Sequence, residues 1–348
     1  VIVQSVRVKY SSPITHSNVS KSQLSSKNLG QDLPVLLTFL PSVVTTSDAG
    51  AGIGYTGIRI RGVSAQSTNI TINGIPFNDP ESHGTFWVNL PDFTSSVESL
   101  QVQRGVGTST TGSGAFGASI NILTDAISKN PYAEISNSAG SYNTLKHTVK
   151  FSTGQLNDSF ELSGRLSKID SDGYIDRAYS DLKSYFVQGT YNKGNTLIKA
   201  LTFGGHEKTY QSWSGVSKDQ LLENRRQNPY TYENEIDNYK QDHYQFHWNQ
   251  SYENGWISNL GLHYTYGRGY FENYNLGYDD GISVPEDYID RRWLENDFYG
   301  LLFSINQKTD LYNAIIGGSF NIYDGQHYGE YMWSSMSKIS SNFKEKFY

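Results

Sequence analysis

The feature that most constrains the fold of this chain is a regular alternation of apolar and polar residues along its second half. In residues 158–167 the apolar Phe160 and Leu162 alternate with the polar Glu161 and Ser163. The same alternation recurs in residues 243–252, 260–266 and 312–322. A period of two predicts β-strands, and strands of about 9–12 residues are long enough to cross a bilayer at a tilt.

The links between these predicted strands alternate in length. Short links lie at 154–157, 192–195, 253–255 and 307–310, and long links lie at 169–181, 204–242, 270–295 and 323–342. This arrangement is typical of an outer-membrane β-barrel, which has short turns at one end and long loops at the other. The alternative is a large soluble antiparallel protein with aromatic residues on its surface.

Composition narrows the class of protein further. The 348 residues include 26 Tyr and 33 Gly, and aromatic residues make up 14% of the chain, which argues against global disorder. The formal net charge of −6 gives no footprint for nucleic-acid binding, and the absence of Cys excludes disulfides and thiolate metal sites. Because the sequence shows no basic and apolar leader, we expect that a signal peptide has already been removed.

The first part of the chain, residues 1–125, has a different texture from residues 126–348. It is poor in Tyr and rich in Gly, Ser and Thr, and its pattern predicts a small α+β domain. Asp32 is placed to cap a short helix that runs to about Leu40, where Pro41 stops it. Strands are predicted at 58–61, 69–72, 97–103 and 118–123.

Several motifs of this first part occur in a recognisable order. They are Gly30-Gln-Asp-Leu-Pro, Pro41-Ser-Val-Val, Ile58-Arg-Ile-Arg-Gly62, Ile72-Asn-Gly-Ile-Pro76, Val97-Glu-Ser-Leu-Gln-Val-Gln-Arg-Gly105 and Gly114-Ala-Phe-Gly-Ala-Ser-Ile-Asn121. Together they resemble the plug domain of TonB-dependent outer-membrane receptors. The loop stretches 221–229 and 291–299 look most like the Bacteroidetes branch related to ferric-citrate and siderophore receptors.

The resemblance implies a mainly β fold, with an N-terminal α+β plug at 1–125 followed by antiparallel transmembrane strands at 126–348. The family closes a 22-stranded barrel around its plug, and this chain contains about nine predicted strands. An open sheet edge in lipid would leave backbone groups without hydrogen bonds. We therefore expect the chain to be the N-terminal portion of a longer receptor.

The resemblance also implies roles for residues at the two ends of the plug. Arg61 and Arg104 stand in the motifs whose arginines pair, in the family, with acidic residues of the inner barrel wall. The extended Val1-Ile-Val-Gln-Ser-Val6 segment, with Val1, Ile2, Val3 and Val6, lies near the position of the segment that TonB captures by strand addition. The alternatives are a solvated plug arginine and an ordinary first plug strand.

Candidate ligand-binding residues come from the predicted plug apices and long loops. Guanidinium groups bind carboxylates in pairs of hydrogen bonds, which suits an anionic ferric chelate, and aromatic rings add flat surfaces and polar handles. The alternative for the arginines is salt bridging between loops. The candidates are Arg225, Arg226, Arg291, Arg292, Trp213, Tyr230, Tyr232, His83, Phe86 and Trp87.

Other motifs predict no bound cofactor, no metal site and no enzyme. Residues 112–117 match a dinucleotide-binding glycine pattern, but a predicted strand follows where that site needs a helix. His243 and His247 share one strand face at a separation of about 13 Å, which is too far for one metal ion. The chain has neither a nucleophile elbow nor a catalytic triad.

The predicted function is TonB-dependent active import of an iron chelate across the outer membrane of a Gram-negative cell. The expected partners are TonB with its inner-membrane energising complex, outer-membrane lipid, an anionic ferric chelate and a surface lipoprotein. The alternatives are import of haem, cobalamin, a glycan or a peptide by the same fold, and a non-transporting β-rich surface protein.

Overall fold

The structure is a computed structural model that describes residues 7–8, 13–107, 116–277, 286–309, 311–336 and 344–346. An N-terminal domain, which ends at Thr124, packs against one face of a large antiparallel sheet that begins at Tyr132. We call this sheet the wall and the face toward the N-terminal domain its inner face. The predicted mainly β fold, with a small α+β domain before the sheet, is confirmed.

Two small sheets build the N-terminal domain. A five-stranded sheet has the order β1-β6-β7-β4-β5, in which β4 and β7 are parallel, and β2 pairs with β3 separately. The elements are β1 His16–Ser20, α1 Lys21–Ser25, α2 Leu33–Leu36, β2 Val43–Ser47, β3 Thr56–Ile60, β4 Thr68–Ile72, β5 Ile75–Pro76, β6 Val97–Arg104 and β7 Ala118–Thr124.

The core of this domain lies on its central strands. Ile70, Leu100 and Ile120 come from three adjacent strands and are at most 1% exposed. Each such side chain stabilises the fold by about 1.5–3 kcal/mol relative to its exposed state. The four strands predicted in this region are observed as β3, β4, β6 and β7, each within two residues of its expected ends.

The predicted helix from Asp32 to about Leu40 is wrong in its length. Helix α2 ends at Leu36, and the next residues form tight turns in which the amide of Leu40 donates to the carbonyl of Leu37. The Asp32 side chain does not cap the helix, because its carboxylate accepts a hydrogen bond from the Thr56 hydroxyl at 2.9 Å.

The wall contains ten strands in the described residues, each paired with its neighbour in the chain. A short helix, α3, lies in the link between β12 and β13. The elements are β8 Tyr132–Gly140, β9 Thr144–Ser152, β10 Phe160–Ser171, β11 Ser180–Lys193, β12 Thr196–Tyr210, α3 Lys218–Glu223, β13 Ile236–Ser251, β14 Trp256–Asn275, β15 Tyr288–Lys308, β16 Asn313–Ser334 and β17 Lys344–Lys346.

The wall strands are longer than the sequence pattern predicts. Strands β14, β15 and β16 contain 20, 21 and 22 residues, and they take up much of what was expected to be loop. Polar and aromatic residues continue these strands past the apolar alternation because the ladder hydrogen bonds do not depend on side-chain polarity. The links still differ in length, with short ones at 194–195 and 252–255 and a long one at 211–235. The link at 141–143 is short although it lies at the same end of the wall as the long one.

The wall is polar on its inner face and apolar on the other. In β10, Glu161 and Arg165 are at most 2% exposed beneath the N-terminal domain, whereas Leu166 points away and is 65% exposed. A strand that faces lipid on one side and a filled interior on the other has this pattern. In the described part of the chain, no helix combines the length and the apolar character needed to cross a membrane.

Candidate functional site: the cavity between the N-terminal domain and the wall

A buried ion cluster fastens the N-terminal domain to the wall. Asp92 lies in a left-handed turn, and its carboxylate is 2.6 Å from Nζ of Lys146 on β9 and 3.3 Å from Nη1 of Arg165 on β10. It also accepts hydrogen bonds from the hydroxyls of Thr148 at 2.8 Å and Ser167 at 2.6 Å. We call these five residues the Asp92 cluster.

The electrostatics of the Asp92 cluster favour the ionised carboxylate. Burial alone would raise the pKa of Asp92, but the charges of Arg165 and Lys146, with hydrogen bonds from Lys146 and Ser167, outweigh it. The pKa of Asp92 is therefore held well below its usual range. The cluster joins an acid of the N-terminal domain to bases of the wall, and no sequence motif pointed to it.

A second ion group lies where the N-terminal domain leads into the wall. Asp125 is buried, with one carboxylate oxygen 2.7 Å from Nζ of Lys21 and the other 2.5 Å from Nζ of Lys150. Lys199 of β12 donates to the backbone carbonyl of Asp125 at 3.1 Å. These contacts hold the end of the N-terminal domain against the wall strands.

Arg61 and Arg104, the predicted plug-to-barrel lock, bond within the N-terminal domain. Arg104 is 6% exposed and donates to the carbonyl of Pro41 at 3.0 Å and to the hydroxyl of Ser17 at 2.8 Å. Arg61 donates to the carbonyl of Arg104 at 3.4 Å. Neither forms an ion pair with a wall carboxylate among the described residues, so their predicted role stays a prediction.

The chain start is anchored on the five-stranded sheet. Arg7 donates to the Ser99 carbonyl at 2.8 Å and to the Asn121 carbonyl at 2.7 Å, and Val8 exchanges hydrogen bonds with the Gln101 side chain. The predicted TonB-facing residues Val1, Ile2, Val3 and Val6 lie outside the described residues.

A cavity of about 660 Å³ separates the N-terminal domain from the wall near the long links. Its position follows from the strands: Glu207 lies close to the end of β12, and Trp213 lies in the long link that comes next. On the same side, Tyr174 of link 172–179 donates its amide to the carbonyl of Ala49. The cavity thus lies at the end of the wall that carries the long links.

Aromatic side chains form much of the cavity lining. Tyr55 contacts Trp213 edge-on, with ring centroids 5.1 Å apart, and Trp213 contacts Phe271 in the same way at 5.7 Å. Phe77 and Phe298 also line the cavity. Such surfaces bind the flat or apolar parts of a small ligand.

Acidic residues are the second component of the lining. The Tyr55 hydroxyl donates to Asp237 and lies 3.5 Å from Glu207, and both carboxylates are buried. Burial and the two nearby carboxylates raise the pKa of Tyr55 well above its usual value, so the hydroxyl remains a donor. Asp48 and Asp79 line the cavity from the N-terminal domain. No sequence motif marks these acidic residues. Glu207 and Asp237 come close together only because β12 pairs with β13.

The predicted aromatic candidates fall in different places. Trp213 and Phe86 line the cavity, and Phe86 is 43% exposed. Trp87 is 3% exposed in the core of the N-terminal domain, because the turn that exposes Phe86 directs the next side chain inward. Tyr230 bonds to the hydroxyl of Ser214 in the link, and the Tyr232 hydroxyl donates to Glu272. His83 is exposed in a turn of the N-terminal domain.

The predicted arginines occupy separate positions. Arg226 is paired with Asp176 at 3.4 Å, in the link region where Arg225 is exposed. Arg291 and Arg292 were expected in a loop but belong to β15, because the strand continues above the apolar segment.

The two β15 arginines are paired with carboxylates. Arg291 is 2.6 Å from Glu272, and Arg292, which lines the cavity, is 3.1 Å from Asp290. These pairs agree with the salt-bridging alternative. Within the described residues, no group of three or more acidic or His side chains is arranged to hold a metal ion.

Comparison with known proteins places this architecture. Residues 8–119 match the family described as the TonB-dependent Receptor Plug Domain. The chain is 32% identical over 159 residues to the vitamin B12 transporter BtuB of Vibrio vulnificus. This match covers 45% of this chain and 25% of BtuB. It is 27% identical over 187 residues to the probable TonB-dependent siderophore receptor PirA of Acinetobacter baumannii. This match covers 51% of this chain and 22% of PirA.

Solved structures share the fold. BauA, the ferric preacinetobactin receptor from Acinetobacter baumannii, superposes with a TM-score of 0.71 at 11% identity, over 92% of this chain and 48% of BauA. The chain thus spans a quarter of the matched curated relatives and about half of this structural relative. The relatives are transporters and receptors rather than enzymes, as the sequence predicts. The match at residues 8–119 shows a TonB-dependent receptor plug domain in this chain, and the plug with the strand wall that follows it has the fold of the solved receptor structure.

Proposed function

We propose that the receptor to which this chain belongs imports an iron chelate across the outer membrane in a TonB-dependent manner. The observation that carries this proposal is the cavity of about 660 Å³ between the plug and the wall, at the end with the long links. A volume of this size accommodates a small-molecule chelate. The apolar outer face of the wall supports a position in outer-membrane lipid.

In this proposal the plug couples the cavity to TonB. The N-terminal segment with Val1, Ile2, Val3 and Val6 is the part that TonB captures by adding a strand, and the inner-membrane energising complex supplies the force. Arg7, bonded to β6 and β7, connects that segment to the plug sheet. Pulling on the segment would therefore load the plug sheet directly.

The contacts that hold the plug form a lock in this proposal. The Asp92 cluster and the Asp125 ion group join plug to wall, and movement of the plug must break or bypass them. Arg61 and Arg104 complete the lock if acidic partners occur elsewhere in the receptor.

Ligand contacts are proposed at two levels. Trp213, Phe86 and Arg292 line the cavity and would touch bound cargo. The remaining predicted contacts form an outer rim or support the lining, and a surface lipoprotein is a further candidate partner at that rim. They are Arg225, Arg226, Arg291, Tyr230, Tyr232, His83 and Trp87.

Uptake in cells tests the proposal. A host that lacks its own chelate receptors would carry the full-length receptor, and accumulation of radiolabelled iron from a panel of ferric chelates would be measured with and without TonB. We expect TonB-dependent accumulation of at least one chelate, lost when residues 1–8 are deleted. Uptake that persists without TonB, or no iron accumulation from any chelate, would overturn it.

Cobalamin is a second candidate cargo, because a relative matched over 45% of this chain is named a vitamin B12 transporter. The same host can be grown with cobalamin as the limiting nutrient. Receptor-dependent growth on cobalamin, without receptor-dependent iron uptake, would replace the iron chelate with this cargo.

A further inference from the structure

The cavity collects more acidic than basic side chains. Asp48 and Asp79 contribute carboxylates from the plug, and Glu207 and Asp237 contribute them from the wall. Among the described lining residues, Arg292 is the guanidinium that offsets them. The part of the lining that the structure describes is therefore acidic.

The basic groups of the lining each have acidic or polar neighbours. Arg292 is 3.1 Å from a carboxylate oxygen of Asp290. His327 lies 2.9 Å from the carboxylate of Glu81. The ring nitrogens of His243 contact a hydroxyl and a side-chain amide oxygen. These three basic side chains therefore do not give the cavity a positively charged surface.

The two wall carboxylates act together. Glu207 and Asp237 contact each other and share the hydroxyl of Tyr55. Carboxylates in contact share a proton readily, so the pair counts as a single negative charge. With Asp48 and Asp79 the lining still carries an excess of negative charge, since Asp290 offsets Arg292.

The aromatic lining suits the same kind of ligand. Phe77, Trp213, Phe271 and Phe298 border the cavity beside these carboxylates. Aromatic faces attract cations through the ring quadrupole, and this attraction grows when water is excluded. A concave site lined by one sign of charge also concentrates the field inside it.

The arginines outside the cavity cannot supply an anion site within it. Arg225 and Arg226 belong to the long link of α3, and Arg226 is engaged by Asp176. Arg291 is bonded to Glu272 and stacks over Tyr270, with its guanidinium carbon 4.4 Å from the ring centroid.

We propose that this cavity is a cation-selective chamber, so that its cargo carries a positive or no net charge and anionic chelates are disfavoured. The inference rests on the proposed function only in treating the cavity as the cargo site. It replaces the anionic chelate predicted from the arginine motifs with a cationic or uncharged chelate.

Thiol labelling measures this selectivity without knowing the cargo. The 348 residues contain no Cys, so once any Cys in the rest of the full-length receptor is replaced by Ser, a single introduced Cys reports one position. Gln241→Cys and, independently, Leu294→Cys place a thiol in the cavity lining. Leu222→Cys places one on α3, where the native side chain is 74% exposed. Each purified variant is reacted with two methanethiosulfonates, one carrying trimethylammonium and the other sulfonate.

The readout is the ratio of cationic to anionic labelling rates, divided by the same ratio at position 222. We expect this normalised ratio to be about tenfold or more in the cavity at low salt, and to fall as salt screens the field. The combined Glu207→Gln and Asp237→Asn variant should lower it by several fold. Glu253→Gln, which removes an exposed charge in the link 252–255, should leave it unchanged.

Two results would overturn the inference. One is a normalised ratio near one at both cavity positions, and the other is faster labelling by the sulfonate. Because labelling needs neither TonB nor cargo, either result would leave the proposed import activity standing, and loss of TonB-dependent uptake would leave the charge selectivity standing.

Discussion

At the scale of single residues, the attachment of the plug depends on buried charges whose partners lie far apart in the sequence. Asp92 is separated from Lys146 and Arg165 by more than fifty residues, and all three side chains are at most 2% exposed. Removing one member of a buried ion group leaves the others without compensation. The cluster should therefore matter more to stability than the many exposed ion pairs of the wall.

Replacing Asp92 tests this directly. Asp92→Asn keeps the size of the side chain but leaves two buried cations without their carboxylate, and we expect a loss of about 3–5 kcal/mol in stability. Denaturant unfolding of the purified receptor measures it. Asp158→Asn, in an exposed turn, is the matched control and should change stability by no more than about 0.5 kcal/mol. A loss of similar small size in both variants would contradict the role given to Asp92.

Asp32 makes the stability of the folded chain depend on pH. Burial raises its pKa from 3.8 to about 8, against smaller opposing hydrogen bonds from Thr56 and the Gly54 backbone. Because the unfolded chain releases this proton at a lower pH than the folded chain, Asp32 lowers stability progressively as pH rises from about 4 to about 8. Asp32→Asn should therefore match the native protein near pH 4 and exceed its melting temperature at pH 8. Equal melting temperatures at pH 8 would contradict this.

At the scale of elements, the plug and the wall meet where small residues permit close approach. A Cβ atom at Gly205 of β12 would clash with the backbone oxygen of Asn89 in the plug. The polypeptide backbone cannot move aside as a flexible side chain can. The contact between β12 at position 205 and the plug at Asn89, which we call the seam, therefore has room only for glycine.

Gly205→Leu should prevent the plug from seating at this seam. We expect the free energy of unfolding to fall by about 1–3 kcal/mol, the usual cost of overpacking, and a protease to cleave the plug faster. Gly215→Leu is the matched control, because a Cβ at that position meets nothing within 4 Å. Equal protease resistance of the two variants would show that the seam is not closely packed.

The sequence predicted the elements of the plug core well and the wall less completely. Motifs such as Ile58-Arg-Ile-Arg-Gly62 locate β3, and period-two alternation locates the apolar middle of each wall strand. At the ends of the strands near the long links the sequence pattern predicts loops, because residues such as Arg291 and Arg292 interrupt the apolar alternation. The ladder hydrogen bonds extend the strand through these positions whatever the polarity of their side chains.

The candidate site was predicted only in part for a related reason. The sequence predicts Trp213 and Phe86 as loop and apex aromatics, and both line the cavity. It does not point to Glu207 and Asp237, since they are thirty residues apart and meet only through the pairing of β12 with β13. Contacts made by strand register are not visible in the composition of either segment.

At the scale of the whole molecule, the wall is a sheet whose polar inner face packs against the plug. The plug closes the space beneath the cavity, and the Asp92 and Asp125 groups hold it there. In the proposed function, cargo in the cavity would pass this plug only if the plug moved or deformed relative to the wall. The proposed import activity therefore depends on relative motion of these two parts.

A disulfide between plug and wall tests that dependence most directly. Cβ atoms at Gly54 of the plug and Ser180 of β11 would lie 3.9 Å apart, beside the cavity residue Tyr55, which is within the range for a disulfide. Gly54 has a φ of 90°, so a Cys there strains the backbone, and the single Gly54→Cys variant sets the reference level of accumulation. Cells would carry Gly54→Cys with Ser180→Cys in the full-length receptor, and TonB-dependent accumulation of radiolabelled ferric chelate would be measured before and after reduction. We predict accumulation near the TonB-deficient level when the bond is oxidised, restoration on reduction to the level of the single Gly54→Cys variant, and no effect of reduction in either single variant. Equal accumulation in the oxidised and reduced states would contradict a transport path that requires the plug to move.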